Sequence, residues 1–173
     1  LDNCNFLKCD VLSYKRKNCK ITNCKINFTV KIDLLLTQMN IYIRNSEFTN
    51  FNLTGNIAKC VNFDFQENTI ENLSLSFSGN YGKNIEIIDC TITNDCGIAI
   101  GGNNDSFRIL NSEIENLLAQ QLDCKSFEII ETTIKKITFN TSLIIRAKII
   151  FSLKNKLNSI MAKSVTFNEP LEF

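Results

Sequence analysis

Large apolar residues recur behind small polar ones along this chain, at a spacing close to 22. The anchors are Phe6, Ile26, Phe48, Ile70, Ile92, Ile114, Ile134 and Leu157, with separations of 20, 22, 22, 22, 22, 20 and 23. A period this regular over nearly the whole length is the mark of a solenoid, in which each repeat forms one coil stacked on its neighbours. Five residues before the anchors lie Leu1, Ile21, Ile43, Phe65, Ile87, Ile109 and Ile129. Seven before lie Cys19, Ile41, Phe63, Ile85, Phe107, Phe127 and Ile150. Side chains of a strand alternate between faces, so these two columns share one inward face. Two before the anchors lie small residues: Cys4, Cys24, Ser46, Asn68, Cys90, Ser112, Thr132 and Asn155. They share an inward face with the anchors.

The odd step from −5 to −2 requires a corner near −3, where Asn3, Asn23, Asn45, Glu67, Asp89, Asn111, Glu131 and Lys154 stand. A second corner falls at +2, at Asn50, Asn72, Asn94 and Asn116, each 22 apart. Asn tolerates the left-handed backbone of a sharp bend, and stacked Asn amides bond from coil to coil as an asparagine ladder. A third strand follows, as in Phe51/Leu53, Leu73/Leu75, Ile98/Ile100, Leu117/Ala119 and Ile137/Phe139. A more variable loop, such as Gly101 to Ser106, closes the turn. The fold expected is all-β: a parallel β-helix of about eight coils, roughly 22 residues per coil and on the order of 40 Å long. Leucine-rich repeats need a tighter Leu pattern, and helical repeats need longer periods with 3.6-residue spacing.

The stretch Asn84-Ile-Glu-Ile-Ile-Asp-Cys-Thr-Ile-Thr-Asn-Asp-Cys-Gly-Ile-Ala-Ile-Gly-Gly-Asn103 resembles the repeat of right-handed parallel β-helix proteins of the pectate-lyase-like superfamily. The likeness covers almost the whole chain and speaks to fold, because that superfamily includes lyases, hydrolases, phage tailspikes, adhesins and non-catalytic scaffolds. From Phe107 to Arg146, inward positions also recur every five residues: Ile109, Ile114, Ala119, Cys124, Ile129, Ile134, Phe139 and Ile144. This is similar to pentapeptide-repeat proteins, four-sided β-helices with shorter coils; the longer spacing through the middle departs from their pattern.

Composition agrees with strands and tight turns. The chain has 173 residues, 44% of them hydrophobic, with one Pro and neither His nor Trp. Asn makes up about one residue in seven, a turn-rich bias. A single β-helix domain over 1–173 is expected, with coils over 1–157 and a C-terminal cap over 158–173. Open coils expose unpaired strand edges, so both ends need covering. The chain begins at Leu1, inside a repeat, which points to a fragment or processed part of a larger chain whose missing sequence, or a partner, covers the N-terminal edge. No apolar run approaches the length of a membrane span and no signal peptide is visible, so no membrane partner is expected.

The net charge of +1 conceals a segregation: residues 1–31 carry +5, residues 32–131 carry −9, and residues 132–173 carry +5. An acidic waist between basic ends is unlike a nucleic-acid track, and no nucleic-acid partner is expected.

Eight cysteines raise disulfides and metal as possibilities. Cys4, Cys24 and Cys90 fall in the small inward column, which favours buried free thiols. Cys4 and Cys24 occupy neighbouring coils, within reach of a disulfide. The Cys4/Cys9 and Cys19/Cys24 pairs have a loose zinc-like spacing, but each pair spans a corner, so its sulfurs point from different faces. Free thiols favour the cytoplasm; paired ones favour an extracellular or virion surface.

In pectate-lyase-like enzymes substrate lies across one sheet, and the resemblance implies that the strand after the second corner corresponds to it. Its outward residues here are Asn52, Thr54, Ser74, Ser76, Ala99, Leu118, Gln120, Thr138 and Asn140. None is an acid or a base, whereas glycoside hydrolysis needs two carboxylates and a lyase needs a base, usually beside a carboxylate-bound cation. No catalytic residue and no cofactor is therefore assigned. Asn52, Thr54, Ser74, Ser76, Gln120, Thr138 and Asn140 are the candidate binding residues. Glu86, Asp89, Glu113 and Glu115 are expected to gather on adjacent coils, as a weak cation site, a docking surface for a basic partner, or solvated charge interleaved with Arg44 and Arg108. Five sequon matches, at Asn27, Asn52, Asn72, Asn104 and Asn140, are discounted as expected by chance in so Asn-, Ser- and Thr-rich a chain.

Three functions fit these residues. The first is a non-catalytic scaffold or recognition module that binds a protein or carbohydrate through a flat sheet face. The second is a polysaccharide lyase or glycoside hydrolase using acids elsewhere, such as Asp89 or Asp95. The third is a phage or cell-surface fibre or adhesin module, an architecture that forms trimers.

Overall fold

Alternating apolar positions within each period drive one face of every strand inward, and in the computed structural model these faces meet in a single core. The structure describes residues 5–6, 12–14, 18–33, 39–56, 60–78, 84–140, 148–151 and 156–163. Among them there is no helix, and every strand pairing is parallel.

One ladder joins β3 (Asn18–Thr22), β5 (Met39–Arg44), β7 (Cys60–Gln66), β9 (Asn84–Ile88), the end of β10 (Thr91–Leu110), the end of β11 (Glu113–Ile130) and β13 (Lys148–Phe151). We call this the first sheet. The other ladder joins β1 (Asn5–Phe6) and β2 (Leu12–Tyr14) to β4 (Lys25–Asp33). It continues through β6 (Glu47–Asn56), β8 (Thr69–Ser78), the starts of β10 and β11, β12 (Thr133–Asn140) and β14 (Lys156–Lys163). These strands run on through the second corner, so their opening residues form a short second sheet and the remainder a third.

All eight anchors stand in one register, Phe6 against Ile26 through to Ile134 against Leu157. The corner expected near −3 is present at Asn23, Asn45, Glu67, Asp89, Asn111 and Glu131, all with φ between 45° and 55°. These corners bound about five full turns rather than the eight expected. The corners expected at Asn3 and Lys154 lie outside the described residues.

The core columns follow the period. Ile21, Ile43, Phe65, Ile87, Ile109 and Ile129 are all buried, as are the anchors from Ile26 to Ile134. Aromatic edges interlock between columns: Phe51 meets Phe48 at 5.1 Å and Phe65 at 5.3 Å between ring centroids. The seven described members of the five-residue pattern, Ile109 to Phe139, are also buried; Ile144 lies outside the described residues.

Three details differ from the sequence expectation. Ile149, not Ile150, stacks on Phe127 and is buried, because the last period is a residue longer. Cys96 and Ile98, not Ile98 and Ile100, stack on Leu73 and Leu75, because a bulge follows Ile92. Gly101 to Ser106 is strand within β10, whose end pairs with β11, rather than a closing loop. Within the stretch expected as a C-terminal cap, β14 runs to Lys163 in parallel pairing with β12, and residues 164–173 lie outside the described residues.

The small column at −2 is a continuous polar spine inside the apolar core. Cys24, Ser46, Asn68, Cys90, Ser112 and Thr132 are each at most 3% exposed. The bend at −3 takes the −2 amide out of the ordinary ladder, and a buried amide must be paired. The next coil supplies the partner. The Cys24 N–H donates to Ser46 Oγ at 3.1 Å, and the Ser46 N–H to Asn68 Oδ1 at 3.1 Å. The Cys90 N–H donates to Ser112 Oγ at 3.1 Å, and the Ser112 N–H to Thr132 Oγ1 at 3.3 Å. The Asn68 backbone bonds the Cys90 sulfur, completing the chain of contacts. Each hydroxyl or thiol also donates to the carbonyl two residues earlier: Ser46 to Arg44, Ser112 to Leu110, Thr132 to Ile130, Cys24 to Thr22 and Cys90 to Ile88.

Two stability experiments follow. Left-handed backbone costs a side chain other than Gly or Asn on the order of 1 kcal/mol. Glu67→Asn relieves that cost and places an amide above Asn45, so Tm in thermal unfolding should rise by about 2–4 °C. Asn68→Ala strands the Ser46 N–H and the Ile43 carbonyl that Asn68 Nδ2 reaches at 2.9 Å. That change should cost about 2–4 kcal/mol in denaturant unfolding, and Asn68→Ser, which restores an acceptor, should cost less.

Candidate functional site

The third sheet presents outward every second residue after the second corner. One row across it reads Lys31, Asn52, Ser74, Gly97, Leu118 and Thr138, in direct strand register. The adjacent row includes Thr54, Ser76 and Ala99. Ser74 and Ser76 are exposed, and Asn52, Thr54 and Thr138 are half-buried. The structure thus brings Asn52, Thr54, Ser74 and Ser76 together as a two-by-two array, with Thr138 further along the first row.

Two expected members sit differently. A register shift between Ile98 and Ala99 sets Gln121 opposite Ala99, so Gln120 leaves the row while remaining exposed. Asn140 ends β12 with its backbone opposite Lys163. Among the described residues of its central rows, from Asn52 and Thr54 to Thr138, the face carries no charged side chain. The Thr138 hydroxyl oxygen is hidden from solvent without a hydrogen-bond partner.

The acidic candidates are not gathered. Glu86 lies on the outer face of the first sheet and pairs with Arg108 at 3.3 Å. Arg108 also holds Glu128 at 2.9 Å, so one guanidinium bridges three coils. Asp89 is the corner residue and accepts from Asn111 Nδ2 at 2.5 Å. Glu113 and Glu115 lie beyond the next corner on the second sheet, where Lys135 pairs with Glu115 at 2.5 Å. Among the described residues no three carboxylate, thiol or imidazole groups converge as metal ligands. The interleaving of acids with Arg44 and Arg108 is realised as ion pairs, with Arg44 on Asp64 in the same way. That contact holds the Arg44 guanidinium above its ordinary pKa.

The second corner also departs from expectation. Asn72 Nδ2 donates to Asn50 Oδ1 at 3.0 Å, but Asn116 Nδ2 donates to Asp95 at 3.2 Å, because the bulge after Ile92 displaces Asn94. At the first corner Asn45 Nδ2 donates to Asn23 Oδ1 at 2.7 Å.

Two surface concavities lie away from the uncharged face. One of about 430 Å³ is lined by Lys20, Thr22, Tyr42, Arg44 and Asp64 on the first sheet. Another, of about 230 Å³, runs along the second sheet between Thr91, Glu113, Glu115 and Lys135.

Cys19, Cys24, Cys90, Cys96 and Cys124 are buried, and no disulfide joins any two of these five. The bridge expected between Cys4 and Cys24 involves Cys4, which like Cys9 lies outside the described residues. Burial pushes the Cys19 thiol up to about 12 and the Cys90 thiol up to about 11, the latter held back in part by bonds from Asn68. Cys96 is raised by burial, with smaller contributions from Cys90 and Asp95.

Sequence reasoning missed two features. Small size alone does not account for the −2 column, whose hydrogen-bonding capacity is what places it there; the signal is a column of Cys, Ser, Asn and Thr without Ala or Gly. It also passed over the outward row at −4, where Ile88, Leu110 and Ile130 follow Thr22, Arg44 and Gln66.

The raised thiols set an alkaline limit on stability. In the unfolded chain a thiol ionises near 8.5, whereas Cys19 and Cys90 keep their protons in the fold to about 12 and 11. The folded state then binds more protons, so stability is complete below the unfolded pKa and falls as pH rises toward the folded values. Thermal unfolding should give a level Tm through neutral pH and a decline above about pH 9. Cys90→Ser, a residue the column already uses, should make that decline shallower.

No family model, curated protein or solved structure matches this chain.

Proposed function

We propose that this chain is a non-catalytic β-helix repeat module, of the kind seen in the pectate-lyase-like superfamily, that recognises a partner through the outer face of its third sheet. The observation that carries the reading is the in-register array of Asn52, Thr54, Ser74 and Ser76, continued by Gly97, Ala99, Leu118 and Thr138. Its hydroxyl and amide groups are spaced by the strand separation of about 4.8 Å and by alternate residues along each strand. Such an array offers repeated hydrogen bonds to a neutral, extended partner, either glycan hydroxyls or the polar face of a protein. Because the array itself carries no charge, covering it costs less desolvation than covering the ion-paired faces. These eight residues include no carboxylate or other general base, so the array holds a ligand without turning it over.

The test is a panel of immobilised neutral glycans and proteins, probed with the full chain and paired with an assay for new reducing or unsaturated sugar ends. Binding without product is expected. Ser74→Trp, which raises a bulky ring from the centre of the array, should weaken binding at least tenfold, on the scale of losing a central contact. Product release, or binding indifferent to Ser74→Trp, would remove this assignment.

A further inference from the structure

We propose that the outer face of the first sheet, centred on Ile88, Leu110 and Ile130, is a second docking surface, one that takes a basic amphipathic protein segment. These three side chains point away from the core and stack in direct register, Ile88 on Leu110 on Ile130. All three are half-buried rather than covered. The same row is Thr22, Arg44 and Gln66 in the earlier coils. The aliphatic strip is therefore local, and it is contiguous, whereas scattered single apolar residues are ordinary on a protein surface.

The residues on either side of the strip define its partner. One neighbouring row is Glu86, Arg108 and Glu128, in which Arg108 is the sole cation and is bonded to both carboxylates. The other side is the corner, with Asp89, Asn111 and Glu131. An apolar strip between acid-rich rows repels phosphates and uronates, which excludes nucleic acid and acidic glycans as occupants. The three residues of the strip offer no aromatic ring for a neutral sugar to stack upon. A peptide that alternates aliphatic and cationic residues satisfies both parts, with the aliphatic groups on the strip and the cations over the flanking carboxylates. This surface lies on a different sheet from the uncharged array and does not depend on it.

The experiment measures binding of two fluorescent peptides to the full chain by anisotropy at low and physiological salt. One alternates Lys and Ile over seven residues; the other replaces each Ile with Ser. The Lys–Ile peptide should bind at least fivefold more tightly than the Lys–Ser peptide, and its affinity should fall as salt rises. Leu110→Asn should abolish that preference and Leu110→Met should keep it, while Ser74→Trp should leave it unchanged. Ile88→Thr provides the same reading should Leu110→Asn fail to fold. Equal binding of the two peptides, or a preference that survives both polar variants, would overturn the proposal. So would a concentration-dependent mass of the chain alone that Leu110→Asn abolishes, since the strip would then belong to a second copy.

Discussion

The amide at −2 is the constraint on which the rest of this solenoid depends. A three-sided coil has to bend, and the left-handed residue at −3 makes the bend. That bend turns the following N–H into the core, where no water can reach it, and an unpaired buried amide costs on the order of 1–3 kcal/mol. The coil contains no partner of its own, so the side chain of the next coil provides one. Cys24 depends on Ser46, Ser46 on Asn68, Cys90 on Ser112 and Ser112 on Thr132. The dependence runs in one direction along the axis: each corner is completed by the coil that follows it. Stability is then a matter of nearest neighbours, as in other repeat proteins. Within that scheme the column must hold residues that are small, buried and able to hydrogen-bond, which is why cysteine stands there beside serine and threonine.

Repeated chemistry made most of this legible before any coordinates. An anchor every 22 residues fixes the period, and a column of Asn, Asp and Glu three residues earlier fixes the bend, so six left-handed residues fell where expected. What escaped was register within a period. A single extra residue before Cys96 moves the third strand and hands the role of Asn94 to Asp95, but it leaves composition and apolar content unchanged. In Lys148–Phe151 two adjacent isoleucines satisfy the inward pattern equally well, and only pairing with β11 selects Ile149. Gln120 and Gln121 pose the same ambiguity on the polar side. A bulge is decided by the neighbouring coil, and a one-dimensional pattern does not carry that information.

The candidate surfaces divide in the same way. Their uncharged array depends only on strand alternation and was visible as a list of outward residues. The grouping of the acids was not, because it depends on the corner. Glu86 and Glu113 lie close to Asp89 in coil position yet face different directions, and the turn at −3 separates them. Long charged side chains then find oppositely charged partners one coil away, as Arg108 does with Glu86 and Glu128, and Lys135 with Glu115.

One core thus supports surfaces of different character without compromise between them. Inward residues are fixed by packing and by the polar spine, while each outward row varies freely along the axis and repeats only in spacing. An outward substitution changes one point of an array and leaves the core columns intact, so a β-solenoid can carry an uncharged face and an acid-rimmed aliphatic strip on adjoining sheets. The uncharged face is the cheaper to dehydrate, since no ion pair must be stripped of water to cover it. The aliphatic strip gains from being covered, and its carboxylate borders restrict what can cover it. On the two proposals above, association at the uncharged face should be governed by the fit of hydrogen bonds, and at the aliphatic strip by apolar burial steered by charge.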